Sequence, residues 1–456
     1  MMIEYQWAMV IASSLLMFLI SPVAKTTQTF FSGASRQARN PSVLLVTTSL
    51  VMSWFMAKSV SNTADLAARF GLLGGITYAL YYLSFMVAGV LIYRMREKGG
   101  FGSIHHFLQS RFGRGAVLAF SGLIGLRLFN EVWSNTAVIG SYFGQPGSRP
   151  YLLAVVLFTG LTLAYSLKGG LRSSLITDAI QMGLFGILLF VVLSLLTQAQ
   201  GRVGEWMQTG NWSTATGLNL FFVVLIQIFS YPFHDPILTD RGFITDSKTT
   251  LKSYALATLI GFCGISLFGL IGIYAGSMGI SEQAALGVSR SLGIWGMLLM
   301  NVIMITSAAS TLDSTFTSVA KLVVVDLNAR GNITLNRGRW VMILVAIAGS
   351  LPLIFSPAIL SATTVSGTMV LGLAPIFLFW RLKAPPLSFH LAYWTGIAAG
   401  LVLMLDGLPA GWYLSQGPYS ALLSMNVYGS LACFAAYLIP YWLGLWRHTR
   451  QSKSQS

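Results

Sequence analysis

The chain has 456 residues, of which 55% are hydrophobic and 9% are charged, and its mean hydropathy is +0.70. Soluble domains carry about a quarter charged residues, so this composition excludes a soluble protein and indicates one that crosses a membrane many times. The net charge of +15 suggests nucleic acid as a partner, but the position of the basic residues along the chain excludes it.

About thirteen segments of the sequence are apolar over the roughly 20 residues that a membrane span requires. The first, at about 6–24, follows Glu4 without any preceding lysine or arginine, so we expect a retained span rather than a signal peptide. The others lie at about 42–63, 72–94, 115–143, 150–167, 174–197, 217–239, 251–276, 290–325, 338–357, 363–382, 388–406 and 421–445.

Basic residues are unevenly divided between the two sets of alternating loops. One set holds 22 lysines and arginines, Arg241 and Lys321 among them, whereas the opposite set holds 4. The positive-inside rule places the basic set in the cytoplasm. We therefore predict a plasma (inner) membrane protein with its N-terminus outside and its C-terminus in the cytoplasm.

Two of the predicted spans are interrupted. The span at 42–63 becomes polar at AKSVSNT, and the span at 217–239 contains SYPFHDP, whose two prolines each remove a helix hydrogen bond. Paired interrupted spans indicate an inverted-repeat transporter with its binding site near the middle of the membrane. We predict an all-α integral membrane protein with a 5+5 inverted-repeat core. Its parts are an extra span and cytoplasmic loop (1–40), a first repeat (41–200), a second repeat (201–385), and peripheral spans with a cytoplasmic tail (386–456).

A polar stripe runs along the ninth predicted span. Its members recur three or four residues apart, so they share one face of a helix: Thr306, Ser310, Asp313, Ser314 and Thr317. A carboxylate facing lipid is costly, so the stripe is expected to face protein or a wet cavity. A row of oxygen atoms suits a small hard cation. Ordinary hydrogen bonding between helices is the alternative interpretation.

Three stretches together resemble the sodium/solute symporter family, which has the leucine-transporter type of inverted-repeat fold. They are SAASTLDS at 307–314, GGLRSSLITDAIQ at 169–181 and DPILTDRGF at 235–243. The resemblance covers about residues 40–385. It implies a secondary active transporter that imports a small organic solute together with Na+ as the coupling ion.

The family resemblance also implies two sodium sites. The first would use the carbonyl oxygens of Met56, Ser59 and Ser307 and the hydroxyls of Ser310 and Thr311. A possible second site, found in some members, would use Asp178, Ser310, Asp313 and Ser314. Asp313 stands where the family usually has a hydroxyl residue, which leaves open a stronger cation site or a site for a proton.

A solute cavity between the second, third, fourth and seventh spans is implied in the same way, with Lys58, Thr63, Tyr81, Tyr82 and Asp235 as its contacts. Lys58 departs from the family pattern. It either pairs with Asp235, replaces a cation or binds an anionic group of the solute. Arg127, four residues before Glu131, either neutralises that carboxylate or binds a carboxylate of the solute, as an arginine on this span does in the sialic-acid branch.

Three functions follow from these observations. The leading hypothesis is sodium symport of a small solute that bears a carboxylate or is zwitterionic. The alternative is a sodium-independent or proton-coupled transporter in which Lys58 replaces the cation. A distant alternative is an intramembrane enzyme using Asp178 and Asp313, which is disfavoured because the chain has no GxGD, HExxH or GxSxG motif. Without a GxxxxGK[ST] motif we expect no coupling to ATP, and the sequence leaves the oligomeric state open.

Overall fold

The structure is a computed structural model that describes residues 2–35, 37, 39–200, 203–206, 208–280, 282–327, 331–355 and 366–454. In this part of the chain the backbone forms helices and turns and no strand. The end of the predicted span at 338–357 and the start of the one at 363–382 lie outside the described residues.

Among the described residues, twelve α-helices precede Ser247. They are α1 (Met2–Ile20), α2 (Thr27–Ser32), α3 (Val43–Trp54), α4 (Ala57–Phe70), α5 (Leu72–Ala79), α6 (Leu83–Gly99), α7 (Ile104–Phe112), α8 (Arg114–Ser141), α9 (Arg149–Gln200), α10 (Val203–Trp206), α11 (Leu218–Gln227) and α12 (Pro236–Arg241). The remaining described helices are α13 (Ser247–Ser277), α14 (Ala284–Ser291), α15 (Gly293–Lys321), α16 (Leu335–Ser350), α17 (Leu373–Leu378), α18 (Pro386–Met404) and α19 (Ser420–Ser454).

Many of these helices can cross a bilayer. Among the described residues, seven helices are long and apolar enough to do so by themselves, and the bent pair of α3 and α4 makes an eighth. The spans expected at 150–167 and 174–197 both lie in α9, where Gly170 has a non-helical backbone with φ 56° and divides the helix in two. A Cβ at this position would lie 2.5 Å from the carbonyl oxygen of Phe30, so glycine allows α2 to pack directly on the bend.

The first interrupted span is a bent pair of helices, as the polar AKSVSNT stretch predicted. The chain bends by 58° between α3 and α4. At this break the Tyr82 hydroxyl donates to the Trp54 carbonyl at 2.7 Å, and the Lys58 amide donates to the Asn135 side chain at 3.3 Å. Side chains from neighbouring helices thus satisfy backbone groups that a continuous helix would pair internally.

The second interrupted span breaks at its prolines. After α11 ends at Gln227, a 3₁₀ turn covers Tyr231–His234, and α12 begins at Pro236. Proline suits the first turn of a helix because its missing N–H would have no helical partner there. The Asp235 side chain caps α12 by accepting hydrogen bonds from the amides of Ile237 and Leu238 at 2.9 and 3.2 Å.

The ninth predicted span is buried in the centre of the protein. It begins at Gly293 rather than near residue 290, because Gly293 has φ 71° and separates it from the short helix α14. All five members of the polar stripe are buried, and α15 packs against α3, α4, α8 and α9. The prediction that the stripe faces protein is confirmed.

Two basic residues assigned to cytoplasmic loops are not loop residues. Arg241 is the last residue of α12 and is fully buried, and Lys321 is the last residue of α15 and is largely buried. Their assignment to loops was wrong. Both are basic and lie near the end of a predicted span, but in the structure each has partners on neighbouring helices that allow its burial. The orientation of the chain stays a prediction.

Candidate functional site

Four charged side chains meet between the two helix breaks and α8. Lys58, Arg127, Glu131 and Asp235 are all buried, none with more than 3% of its surface exposed. We call them the central charge cluster. The cluster contains two positive and two negative groups, so it is neutral as a whole.

Glu131 is the centre of this cluster. Its Oε1 atom lies 2.8 Å from Lys58 Nζ and also forms an ion pair with Arg127 Nη1, while its Oε2 atom accepts a hydrogen bond from Asn135 Nδ2 at 2.9 Å. Arg127 pairs with Glu131, which is one of the two interpretations that its spacing allowed. Of the three alternatives for Lys58, pairing with Asp235 is not what the structure has, because Glu131 lies opposite the start of α4 and takes that place.

Asp235 connects the second break to the first. One of its oxygens caps α12, and the other accepts from Trp54 Nε1 at 2.9 Å and lies 3.6 Å from Arg127 Nη2. Trp54 is the last residue of α3, so a single carboxylate contacts both broken spans and α8. A shift of α12 therefore changes contacts in all three.

A small cavity of about 20 Å³ adjoins the cluster, which is room for about one water molecule. It is lined by Trp54, Met56, Lys58, Ser59, Tyr78, Tyr81, Tyr82 and Tyr231. Of the residues predicted to contact a solute, Lys58, Tyr81 and Tyr82 line this cavity. Arg127 lies 5.4 Å from the centre of the Tyr231 ring. Thr63 is not in the lining, and its hydroxyl donates to the Ser59 carbonyl at 2.7 Å.

Both cavity tyrosines that the sequence predicted are held by hydrogen bonds. The Tyr81 hydroxyl donates to Gln227 Oε1 at 2.7 Å, at the end of α11, and the Tyr82 hydroxyl donates to the carbonyl at the end of α3. Each tyrosine therefore connects the third predicted membrane segment to one of the two helix breaks. Movement at either break would alter the cavity wall.

A second buried polar cluster lies where α9 meets α15. Asp313 accepts hydrogen bonds from the hydroxyls of Ser174 at 2.8 Å and Thr177 at 2.9 Å. Asp178 accepts from the Ser310 hydroxyl, and the Ser174 hydroxyl lies 3.4 Å from its other oxygen. The structure thus brings together the carboxylates that the sequence assigned to a possible second sodium site. We call this group the carboxylate cluster.

Ser314, the remaining member of that predicted set, also belongs to the carboxylate cluster. Its hydroxyl lies 2.9 Å from that of Ser174 and 3.0 Å from that of Ser53 on α3, and it accepts from Arg241 Nη2 at 3.1 Å. The cluster therefore joins α3, α9, α12 and α15. All of its charged members are fully buried.

The residues predicted for the first sodium site lie on α15 and at the start of α4, two elements that contact each other. Their oxygens have local partners: the Met56 carbonyl accepts from the Val60 amide at 3.0 Å, and the Ser307 carbonyl accepts from the Thr311 hydroxyl at 3.0 Å. A carbonyl oxygen has a second lone pair, so these atoms retain capacity for a cation. The buried Ser307 hydroxyl has no hydrogen-bond partner among the described residues.

This donor set consists of oxygen atoms, which fits a hard monovalent cation and not a soft metal. Within the described ranges, no group of three or more His, Cys, Asp or Glu side chains is placed to hold a metal ion. The polar groups at the first predicted site are carbonyls and hydroxyls, which suit sodium better than a transition metal.

Several residues of the two clusters were absent from the sequence-based site: Trp54, Asn135, Ser174, Thr177 and Arg241. Asn135 follows Glu131 by four residues, and Ser174 precedes Asp178 by four. Helical spacing alone could have associated these neighbours with the predicted carboxylates. For Trp54 and Arg241 no local pattern indicates the partner, because each contacts a different helix.

A third group of charges lies at the C-terminal ends of α12 and α15. Lys321 forms an ion pair with Asp240, and its Nζ atom also lies 3.6 Å from Asp326 Oδ2. Asp326 in turn lies 4.0 Å from His105 Nδ1 on α7. Burial lowers the pKa of His105, which keeps its ring neutral at pH 7.

Replacement of Lys321 by methionine is expected to loosen α12 at its C-terminal end, because Asp240 would lose its ion-pair partner while staying largely buried. Hydrogen exchange measured by mass spectrometry should show faster exchange for the amides of residues 239–246 than in the parent. An Arg381→Met variant, which removes an exposed charge, is the control. Unchanged exchange in Lys321→Met would show that the ion pair does not hold α12.

No protein-family model and no curated protein sequence matches the chain. Its structure is similar to that of a Na+-coupled sialic acid symporter in a substrate-bound outward-open state, with a TM-score of 0.68 and 16% identity over 96% of this chain and 98% of the other. It is also similar to Mhp1, a nucleobase-cation-symport-1 family transporter, closed with bromovinylhydantoin bound (TM-score 0.58, 14% identity, 91% and 94% covered). MhsT in complex with L-phenylalanine matches with a TM-score of 0.54 and 14% identity over 91% and 99% of the two chains.

These neighbours are transporters of one fold, and the match covers most of each chain. At such low identity the comparison establishes the fold alone. The sequence-based prediction of that fold is confirmed: the chain is an all-α integral membrane protein with the leucine-transporter (LeuT) fold.

Proposed function

We propose that the chain is a secondary active transporter, and not an enzyme, that imports a small organic solute by symport with sodium. The observation that carries this proposal is the position of α12. Its capping residue, Asp235, belongs to the central charge cluster beside the cavity, and its last residue, Arg241, contacts the carboxylate cluster. One helix of six residues thus links the two places where a solute and a cation would bind.

Sodium would be a transported substrate held by two sets of oxygens. The first set is Met56, Ser59, Ser307, Ser310 and Thr311, and the second is Asp178, Ser310, Asp313 and Ser314. Ser310 belongs to both, since it follows Ser307 by one turn and donates to Asp178. Binding at either set would favour the arrangement in which the start of α4, α9 and α15 are held together.

Coupling requires that each ligand bind one conformation better than the other. In this protein, α12 and the two helix breaks are the elements that the proposed solute and cation sites have in common. A cation that changes the position of Arg241 would shift α12, and with it Asp235 and its contact to Arg127. The solute then meets a different cavity in each conformation.

The neutral central charge cluster favours a zwitterionic solute. An anion alone would leave the buried site with an unbalanced charge, which is costly in a medium of low polarity. A zwitterion can replace the long 3.6 Å contact between Arg127 and Asp235 by placing its carboxylate at Arg127 and its ammonium at Asp235. The cluster would then stay neutral with solute bound.

Thr311→Ala is expected to lose most of a stabilisation by sodium that the parent shows and that potassium does not produce. A ligand that binds only the folded state raises apparent stability by mass action, by about 2.7 kcal/mol at 100 times its dissociation constant. The measurement is the melting temperature of purified protein across sodium and potassium series. Thr311→Ser, which keeps the hydroxyl, is the matched control and should resemble the parent.

One outcome would contradict sodium coupling, and another would contradict the position of the site. No sodium-specific shift in the parent, combined with a shift that appears in Lys58→Ala, would mean that Lys58 replaces the ion, as the sodium-independent alternative requires. Equal shifts in the parent and Thr311→Ala would mean that sodium binds, but not at the first set of oxygens.

The solute itself can be sought with the protein in liposomes on a solid-supported membrane. Under an inward sodium gradient, amino acids, trimethylammonium carboxylates and simple monocarboxylates are added in turn. We expect an inward current with a zwitterion and none with a monocarboxylate. A current with monocarboxylates only would contradict the zwitterion proposal.

We extend the proposal to topology and location. The two repeats at 41–200 and 201–385 would form the transport core, and the protein would lie in the plasma (inner) membrane with its C-terminus in the cytoplasm. The basic loops support this orientation.

A further inference from the structure

Arg241 is the positive group of the carboxylate cluster. It is the largest of the fully buried side chains in the described part of the protein and lies at the end of α12. Burying a guanidinium is costly unless it is paired, yet its direct hydrogen bonds go to two neutral hydroxyls, Ser49 at 3.2 Å and Ser314 at 3.1 Å. The negative charges that balance it belong to carboxylates that are reached through a further hydroxyl.

The Ser314 hydroxyl connects Arg241 to both carboxylates through one further hydroxyl. It lies 2.9 Å from Ser174, whose hydroxyl donates to Asp313 at 2.8 Å and lies 3.4 Å from Asp178 Oδ2. The guanidinium is therefore shared between two acids rather than committed to one.

When both carboxylates are ionised, as ligands of a cation are, they and the one guanidinium leave the cluster with one unbalanced negative charge. A cluster of this charge complements one monovalent cation and repels a second. The sequence alone suggests two anionic ligands for sodium, because the stretches 169–181 and 307–314 each supply one aspartate and Arg241 was assigned to a loop. The tertiary structure adds the counter-charge.

We propose that Arg241 is a built-in counter-ion that limits the carboxylate cluster to a single sodium ion and sets its affinity. This inference rests on the proposed sodium coupling. Arg241 would act through Ser314 and Ser174, so it is a positioning residue rather than a ligand. The family resemblance does not assign it this role, which follows from its burial and from this hydrogen-bonded connection.

The test is a charge series at this cluster, with sodium binding as the readout. Arg241→Gln makes the cluster doubly negative, Asp313→Asn makes it neutral, and the double variant returns it to the parent's single negative charge. Arg241→Lys keeps the charge and is the conservative control. Each purified protein is titrated with sodium, and binding is followed by melting temperature and by radiolabelled sodium.

We expect apparent sodium affinity to follow net charge rather than the number of substitutions. Arg241→Gln should bind sodium at least about tenfold more tightly, since a nearby opposite charge changes the binding of a cation to a carboxylate by one to three powers of ten. Asp313→Asn should bind fewer sodium ions per protein than the parent. The double variant and Arg241→Lys should resemble the parent in affinity.

A purely structural Arg241 predicts something else: both Arg241→Gln and the double variant would be unstable, with unchanged sodium affinity in the folded fraction. That result overturns the inference while leaving sodium coupling intact. A sodium affinity that does not change with the net charge of the variants does the same. Absence of sodium binding in the parent and in all variants overturns the sodium proposal itself, and this inference with it.

Discussion

Glu131→Gln is expected to be among the most destabilising single substitutions in this protein. Glu131 accepts from Lys58, Arg127 and Asn135 inside the central charge cluster. Its neutralisation would leave two buried cations facing Asp235 alone. Removal of one partner from a buried ion pair costs about 3–5 kcal/mol. The melting temperature of purified protein, or the monodisperse fraction after extraction in detergent, measures the loss.

A charge-balanced variant separates this effect from lost packing. Lys58→Met combined with Glu131→Gln leaves Arg127 opposite Asp235, so the cluster is neutral again. We expect the double variant to recover much of the stability that Glu131→Gln loses, although transport should be lost in both. Equal instability of the single and double variants would show that net charge is not the cause.

Gly272→Ala is expected to push α13 away from the first broken span. A Cβ at Gly272 would lie 2.1 Å from the carbonyl oxygen of Ala64 on α4, and that oxygen belongs to a helix backbone that cannot turn aside. Overpacking of this kind costs about 1–3 kcal/mol. The melting temperature in detergent should fall clearly below that of the parent.

A glycine-to-alanine substitution at an open position should have the opposite effect on stability. Gly125 on α8 has no atom within 4 Å of an added Cβ, and alanine in a helix is favoured over glycine by about 0.5–1 kcal/mol. Gly125→Ala is therefore expected to leave the protein as stable as the parent or more so. If Gly272→Ala behaved like Gly125→Ala, the close packing of α13 on α4 would be refuted.

Other glycines of α13 also make close packing possible at the first break. An added Cβ at Gly261 would lie 2.0 Å from the Tyr82 ring, and one at Gly264 would lie 2.4 Å from the Phe55 ring. Small residues allow helices in membranes to approach closely. Here they make room for the aromatic side chains beside the break, so the shape of α13 contributes to the cavity wall.

The amino-acid sequence by itself determined the fold and much of the carboxylate cluster. Composition established a protein of many apolar spans, and the polar and proline-containing interruptions located both breaks. Helical spacing on α15 placed Asp313 and Ser314 on one face, and the family resemblance of the stretches 169–181 and 307–314 associated them with Asp178. The spans, the breaks and the shared face are predictable because they depend on local chemistry: hydropathy, proline geometry and the 3.6-residue period.

Only the tertiary structure decided which charges pair. Lys58 pairs with Glu131 and not with Asp235, and Arg241 leaves its expected loop to join the carboxylates. Lys58 and Glu131 lie 73 residues apart in the chain, and so do Arg241 and Ser314. Spacing along one helix says which side chains share a face, but the partner on the next helix depends on how the helices cross, and that is a property of the packed protein.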